Sequence, residues 1–364
     1  MSGSRTRKGA TDAAGAAADK RLRASILRWY TAHRRDLPWR RTRDPYAIWI
    51  SEIMLQQTGV DTVVPYYERF LGRFPDTHSL AGAPEADVLA AWSGLGYYRR
   101  AKHLRDAAAL LVREHAGRVP DDDDALRQLP GIGEYTAAAI ASIAFGRAAA
   151  AVDGNVVRVI ARIRGFRGER SSPALRRRVL ERAKALASGP NPGDWTQALM
   201  ELGATVCLPR NPQCDACPAR TVCMAQRSGD PSRYPAPAAK AAPRRGKRVM
   251  LFARLRGRVL LVQDPTDGGA WTLPTATPKG RGARAAELLA RRLGLPRPSQ
   301  GPAARFRHRT FANDLEVEVW EVGPLKGRPE VAGVAGTWAR PADLQRLPMR
   351  SPTLKAFNRL QVKE

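Results

Sequence analysis

The chain has 364 residues, more than one typical domain needs, so two or three domains are expected. Its 61 Lys and Arg against 34 Asp and Glu give a net charge of +27 and a pI near 11.1. That balance points to a polyanionic partner, nucleic acid first, because phosphate neutralisation with counterion release supplies affinity. No stretch of about 18 apolar residues occurs, which excludes a membrane-spanning helix.

Residues 1–20 are basic and small and lack the apolar core of a secretory signal. Asp12 and Asp19 weaken a transit-peptide reading, and a disordered arm touching DNA phosphates is the plainer expectation. Residues 21–224 repeat apolar positions every three or four residues between short Gly and Pro breaks, which reads as an all-helical domain.

Within Trp49–Thr58, Glu52 shares a helical stripe with Ile48 and Leu55. A carboxyl that points where apolar side chains point is desolvated, its pKa rises, and it can serve as a general acid near neutral pH. A surface glutamate is the ordinary alternative, and the apolar company on its own face argues against it. The segment Leu129–Ala137 (LPGIGEYTA) sets Gly131 and Gly133 two apart at a helix start. Free N–H groups there suit a phosphate, so the segment reads as a helix-hairpin-helix clamp, the alternative being a plain helix corner.

Asp153, in Val152-Asp153-Gly154-Asn155-Val156, reads as the N-cap of the next helix. It either caps only or, kept ionised by the helix dipole, also stabilises a sugar cation. One protonated and one ionised carboxyl is the division of labour for cleaving a glycosidic bond, here in a nucleotide flipped out of a duplex.

The chain's four cysteines, Cys207, Cys214, Cys217 and Cys223, follow the spacing C-x6-C-x2-C-x5-C in the basic, Pro-rich loop 207–223. An iron–sulfur cluster fits this spacing better than zinc, whose sites pair two short knuckles or mix in histidine. Zinc and disulfides remain as alternatives. Clustered thiols without a paired framework indicate a reducing cytoplasm.

Residues 225–247 are rich in Pro, Ala and basic side chains and read as a linker. Residues 248–364 form an α+β domain: a hairpin about Arg256-Gly257, a helix near Ala283–Leu293, and strands at Leu315–Val322 and Ala335–Ala339.

Six features stand in a fixed order: Leu37–Arg40 (LPWR), Ser51–Thr58 (SEIMLQQT), Gly94–Tyr98 (GLGYY), LPGIGEYTA, VDGNV and the four cysteines. Together they resemble the MutY-type adenine DNA glycosylases of the helix-hairpin-helix, iron–sulfur superfamily, a likeness spanning roughly residues 22–224. The resemblance implies a mainly α glycosylase domain with a [4Fe-4S] loop, followed by an α+β Nudix-like domain that reads 8-oxoguanine. It implies base excision repair of adenine opposite 8-oxoguanine or guanine in double-stranded DNA, by a monomer in the bacterial cytoplasm at the nucleoid.

In this likeness Glu52 is the acid that protonates adenine N7 and later handles the water. Asp153 stabilises the sugar cation and Asn155 orients the site. Tyr135 stands where endonuclease III enzymes carry a nucleophilic lysine, so a monofunctional enzyme is implied. Trp39, Arg40, Gln197 and Glu201 fall in segments that line the adenine pocket. Gln56, Gln57 and Tyr97 match residues that wedge into the stack, while core packing is expected for Tyr98. In the back domain, Gly269–Pro274 resembles a shortened tryptophan–proline motif. The helix Ala283–Leu293 offers only Glu287 as a metal-binding glutamate, so binding without hydrolysis is implied.

The family's Phe-Ser-His loop aligns with Phe311-Ala312-Asn313, or alternatively with Phe306-Arg307-His308. Either way the serine hydroxyl is lost, and selectivity for 8-oxoguanine is expected to weaken unless Asn313 supplies the bond. Two competing readings are an endonuclease III-like glycosylase and lyase, and a non-catalytic iron–sulfur DNA-binding protein.

Overall fold

The structure is a computed structural model that describes residues 3–236, 243–264, 269–310, 313–323, 325 and 335–361, with side chains from residue 15 onward except 345 and 346. In chain order the helices are α1 Gly3–His33, α2 Pro45–Leu55, α3 Val60–Arg73, α4 Thr77–Gly82, α5 Glu85–Ala91, α6 Arg99–His115, α7 Asp123–Gln128, α8 Glu134–Ile143, α9 Gly154–Arg164, α10 Pro173–Ala187, α11 Pro192–Thr205 and α12 Met224–Arg227. The strands follow: β1 Arg244–Phe252, β2 Arg254–Leu255, β3 Arg258–Asp264, β4 Ala270–Thr272 and β5 Thr275–Ala276. Then come helix α13 Gly282–Arg292, strands β6 Ala304–Arg309, β7 Asn313–Glu321 and β8 Gly336–Ala339, and helix α14 Ser351–Arg359.

By contacts the chain divides into two units. The first takes residues 1–71, 76–78 and 107–240, and the second takes 72–75, 79–106 and 241–364. Residues 79–106, read from sequence as part of the helical domain, thus group with the C-terminal portion.

In the first unit, Leu22, Ile26 and Tyr30 of α1 meet apolar faces of α9 (Val156, Ile160), α10 (Leu175, Val179) and α11 (Trp195, Leu202) in one core. The arm expected to be disordered departs from that reading: α1 begins at Gly3. Its alanine-rich stretch favours helix, and Asp19 ties it down by ion pairs to Arg164 and Arg182. Helix α9 is set at both ends, by the Asp153 cap accepting from Val156 N and by Gly165 in the left-handed conformation (φ 66°).

Close approach of α11 depends on two glycines. A Cβ on Gly193 would lie 2.8 Å from the Ser142 carbonyl oxygen, and one on Gly203 would lie 2.7 Å from the Asn155 Cβ. That proximity brings one face of α11 to the ends of α8 and α9.

The second unit holds two sheets, β5-β1-β7-β6 and β2-β3-β4 with β8 on β3. Strand β1 runs parallel to β7, from Arg244↔Asn313 to Phe252↔Glu321. Val249 and Leu251 face the α13 side, where Leu289, Trp320 and Trp338 pack, while Met250 and Phe252 face Val317, Val319 and Phe357 of α14. Burial on both faces explains the unbroken apolar run of β1.

The sequence expectation of a hairpin at Arg256-Gly257 is met by β2 and β3, with both turn residues at positive φ (47° and 75°). The main partner of β1, however, is β7. The stretch 225–247 expected as a linker is partly ordered: α12 runs to Arg227, Ala236 pairs with Glu169, and β1 begins at Arg244, while residues 237–242 lie outside the described residues. Among the described residues no helix is long and apolar enough to cross a membrane.

Candidate active site

A cavity of about 270 Å³ in the first unit is lined by Trp39, Arg40, Glu52, Tyr135, Asp153, Asn155, Gln197 and Glu201. Its volume is near the lower end for ligand clefts. Helix α2 delivers Glu52, the start of α8 delivers Tyr135, the cap of α9 delivers Asp153 and Asn155, and α11 delivers Gln197 and Glu201.

Glu52 is 6% exposed. Burial pushes its carboxyl up to about 7, with a hydrogen bond from Tyr135 pulling the other way and Asp153 adding to the rise. Burial, with the charges of Glu52 and Asp153, raises the Tyr135 phenol well above its usual range, so it stays a donor. Asp153 departs from the expectation that the helix dipole lowers it. Its Oδ1 accepts from Val156 N at 2.7 Å, yet its carboxyl lies above the usual range. Desolvation in the cavity wall outweighs the backbone donors of Val156 and Asn155.

Glu201 is fully buried, yet it is held ionised. Burial alone would raise its carboxyl. Arg35 donates to it through its backbone N, Nε and a terminal nitrogen (3.0, 2.9 and 2.7 Å), and Arg40 adds a bond at 2.8 Å. Together these donors carry it down to about 2. Arg40 lies 5.5 Å from the Tyr30 ring centroid. The sequence reading missed Arg35, whose only signal was a place two residues before Leu37–Arg40; Met200 escaped as an apolar neighbour of Glu201.

Gln56 and Gln57 follow α2 outside the cavity lining. Gln56 reaches Thr136 at 3.5 Å, while Gln57 is exposed with φ 60°. Gly131 (φ 79°) lies in the turn between α7 and α8, and Gly133 caps α8 without a side-chain bond to its first N–H groups. Tyr97 belongs to the second unit, exposed at 54% with φ 50°. Phe311 lies outside the described residues; Asn313 opens β7, its N donating to Thr310 Oγ1 at 3.0 Å.

Cys207, Cys214, Cys217 and Cys223 line a second cavity with Arg162. Among the described residues no three metal-binding side chains converge closely enough to hold a single ion. The four thiols around this hollow are the side chains that could hold a metal centre. Burial pushes the Cys217 thiol up to about 11 and raises Cys214 and Cys223. Arg162, 3% exposed, reaches Cys207 Sγ at 3.4 Å and the Leu208 carbonyl at 2.6 Å. Arg158 joins the Cys207 and Gly203 carbonyls (2.7 Å each) to Asn155 Oδ1 (2.9 Å).

Residues 50–185 match the HhH-GPD superfamily base excision DNA repair protein family. The adenine DNA glycosylase of Mycobacterium tuberculosis is 40% identical over 238 residues, covering 65% of this chain and 76% of that protein. The human adenine DNA glycosylase is 45% identical over 214 residues, covering 56% of this chain and 39% of that one. The chain thus spans about two fifths of the length of the mammalian relatives it matches. Among solved structures, a thermostable thymine-DNA glycosylase aligns with a TM-score of 0.53 at 33% identity, covering 58% of this chain and 97% of that one.

Proposed function

The chain belongs to the adenine DNA glycosylase family, and on that premise we propose that it hydrolyses the N-glycosidic bond of adenine mispaired with 8-oxoguanine or guanine in duplex DNA. The observation that carries this reading is one cavity holding a carboxyl near pKa 7, Glu52, and a carboxylate locked in its ionised form, Glu201. Adenine offers a ring acceptor at N7 and a donor at N6, matching protonated Glu52 and acceptor-only Glu201. Guanine instead offers O6, a second acceptor, which Glu201 repels.

With the nucleotide flipped into the cavity, Glu52 gives its proton to N7 and the glycosidic electron pair leaves with the base. Asp153 stabilises the sugar cation, water adds to C1′, and the water's proton returns to Glu52. Tyr135 cannot form a Schiff base, so the product is an abasic site without strand cleavage. Borohydride trapping checks this by yielding no abundant covalent adduct.

Cys207, Cys214, Cys217 and Cys223 are the ligands for a [4Fe-4S] cluster, which when bound supplies a fixed charge and a fold constraint rather than electrons for base hydrolysis. Gly131 and Gly133 present backbone N–H groups to a phosphate, and Gln56, Gln57 and Tyr97 enter the stack. The C-terminal unit is proposed as a Nudix-like reader of the partner base, near Phe311 and Asn313. Glu287 is the one glutamate of α13 and pairs with Arg297 at the surface; the unit is proposed to bind the partner base without hydrolysing a nucleotide.

The test is single-turnover adenine release from duplexes carrying adenine opposite 8-oxoguanine, guanine or thymine. Release from the first two and retention of DNA binding without release by Glu52→Gln are expected. Wild-type enzyme that binds these duplexes and leaves adenine attached would sink the proposal.

A further inference from the structure

Tyr97 occupies a loop whose two ends are fastened to one stretch of the C-terminal chain. Ser93 Oγ donates to the Leu347 carbonyl and Tyr98 Oη to the Met349 carbonyl, each at 3.2 Å, and all four residues lie in the second unit. That stretch is stitched to β4: Trp271 N donates to the Pro348 carbonyl at 2.7 Å, and Arg350 N donates to the Trp271 carbonyl at 3.0 Å. Leu347 and Met349 pack into the apolar core beneath the sheet.

Between the two anchors the loop is determined from inside as well. Trp92, fully buried, donates through Nε1 to the Gly96 carbonyl at 3.2 Å. Arg100 donates to the same carbonyl at 3.2 Å and lies 5.4 Å from the Trp92 ring and 5.8 Å from that of Tyr97. Gly96 takes φ 70°, and Tyr97 follows at φ 50°, a conformation a tyrosine rarely adopts without being held there. The restraint leaves Tyr98 buried at 1% and Tyr97 exposed at 54%. An aromatic ring kept in solvent by a strained, over-determined backbone is pre-organised for a partner surface.

We propose that Ser93 and Tyr98 are positioning residues through which the C-terminal sheet holds Tyr97 ready to enter the DNA stack. The inference rests on Tyr97 being a wedge, and it makes that wedge and the unit proposed to read the partner base one mechanical piece.

The experiment is a double-mutant cycle in the full-length protein. Its readouts are single-turnover adenine release opposite 8-oxoguanine and the fluorescence of a 2-aminopurine placed beside the mispair, which rises when the base unstacks. Tyr98→Phe keeps the ring and removes only the hydroxyl, and Ser93→Ala removes the other anchor. Each is expected to lower both readouts by roughly 3- to 10-fold, the scale of one lost hydrogen bond, with little change in melting temperature. In a Tyr97→Ala background both substitutions are expected to be silent, because they act through that ring. Equal losses in both backgrounds, or no loss in either, overturn the positioning role. A Tyr97→Ala protein that unstacks and excises like wild type overturns the wedge reading itself, and is recognised before any second substitution is made.

Discussion

Glu52 holds its proton near neutral pH because α2 buries it among Ile48, Ser51 and Leu55 at the cavity wall. Its folded-state pKa rises from 4.5 to about 7, so between those values the folded chain keeps a proton that the unfolded chain releases. Stability therefore falls as pH climbs from about 4.5 to 7, by roughly 3 kcal/mol at 1.36 kcal/mol per pH unit. Glu52→Gln, neutral in both states, is expected to match wild type near pH 4.5 and exceed it by that order above pH 7. Urea unfolding at the two pH values checks this, and identical wild-type and variant curves at pH 8 would refute it. Excision by the wild type is expected to decline above about pH 7, as the acid loses its proton.

Glu201 carries the opposite sign. It is held at about 2 by Arg35 and Arg40 and stays charged across the working range. Glu201→Gln strands a guanidinium that is 9% exposed, and is expected to cost about 3 kcal/mol or more with loss of adenine release. Thermal melting with a parallel excision assay reads both. Neither Arg35 nor the upward direction of Asp153 was legible in sequence, since both follow from which helices happen to surround the group.

At the scale of elements, α11 decides where the cavity's far wall stands. Gly203→Ala in this helix gains about 1 kcal/mol of helix propensity. The added carbon, 2.7 Å from the Asn155 Cβ, forces overpacking of about 1 to 3 kcal/mol. The clash outweighs the gain in propensity, so the variant is expected to melt lower than wild type and to excise more slowly as Asn155 and the Asp153 cap shift. A melting temperature at or above wild type would contradict the close approach. Helix α9 and its cap were legible from Val152-Asp153-Gly154-Asn155 because capping is local chemistry. The parallel pairing of β1 with β7 was not, because some 60 residues separate the partners and nothing in either run names the other.

For the whole molecule, 61 basic residues against 34 acidic ones make phosphate the dominant source of affinity. Binding to an undamaged duplex is expected to weaken by about 10³-fold or more between 50 mM and 200 mM salt. The excision rate from a preformed complex is expected to change little, since the chemistry sits in a cavity walled by buried groups. Filter binding and single-turnover rates across that range separate the two. A flat salt dependence would show that charge is spread for solubility and not for DNA.

What the amino-acid sequence determined alone was local or additive: helical periodicity, the α9 cap, the cysteine spacing, the Arg256-Gly257 turn and the net charge each need only neighbouring residues or a sum. Tertiary structure alone decided which groups share a cavity and therefore how tightly each holds its proton. It set Glu52 near 7, Glu201 near 2 and Asp153 above its usual range. It likewise joined Ser93 and Tyr98 to residues some 250 positions away. Desolvation and charge pairing depend on distances through space, and those distances come into being only when separate helices and strands close on one another.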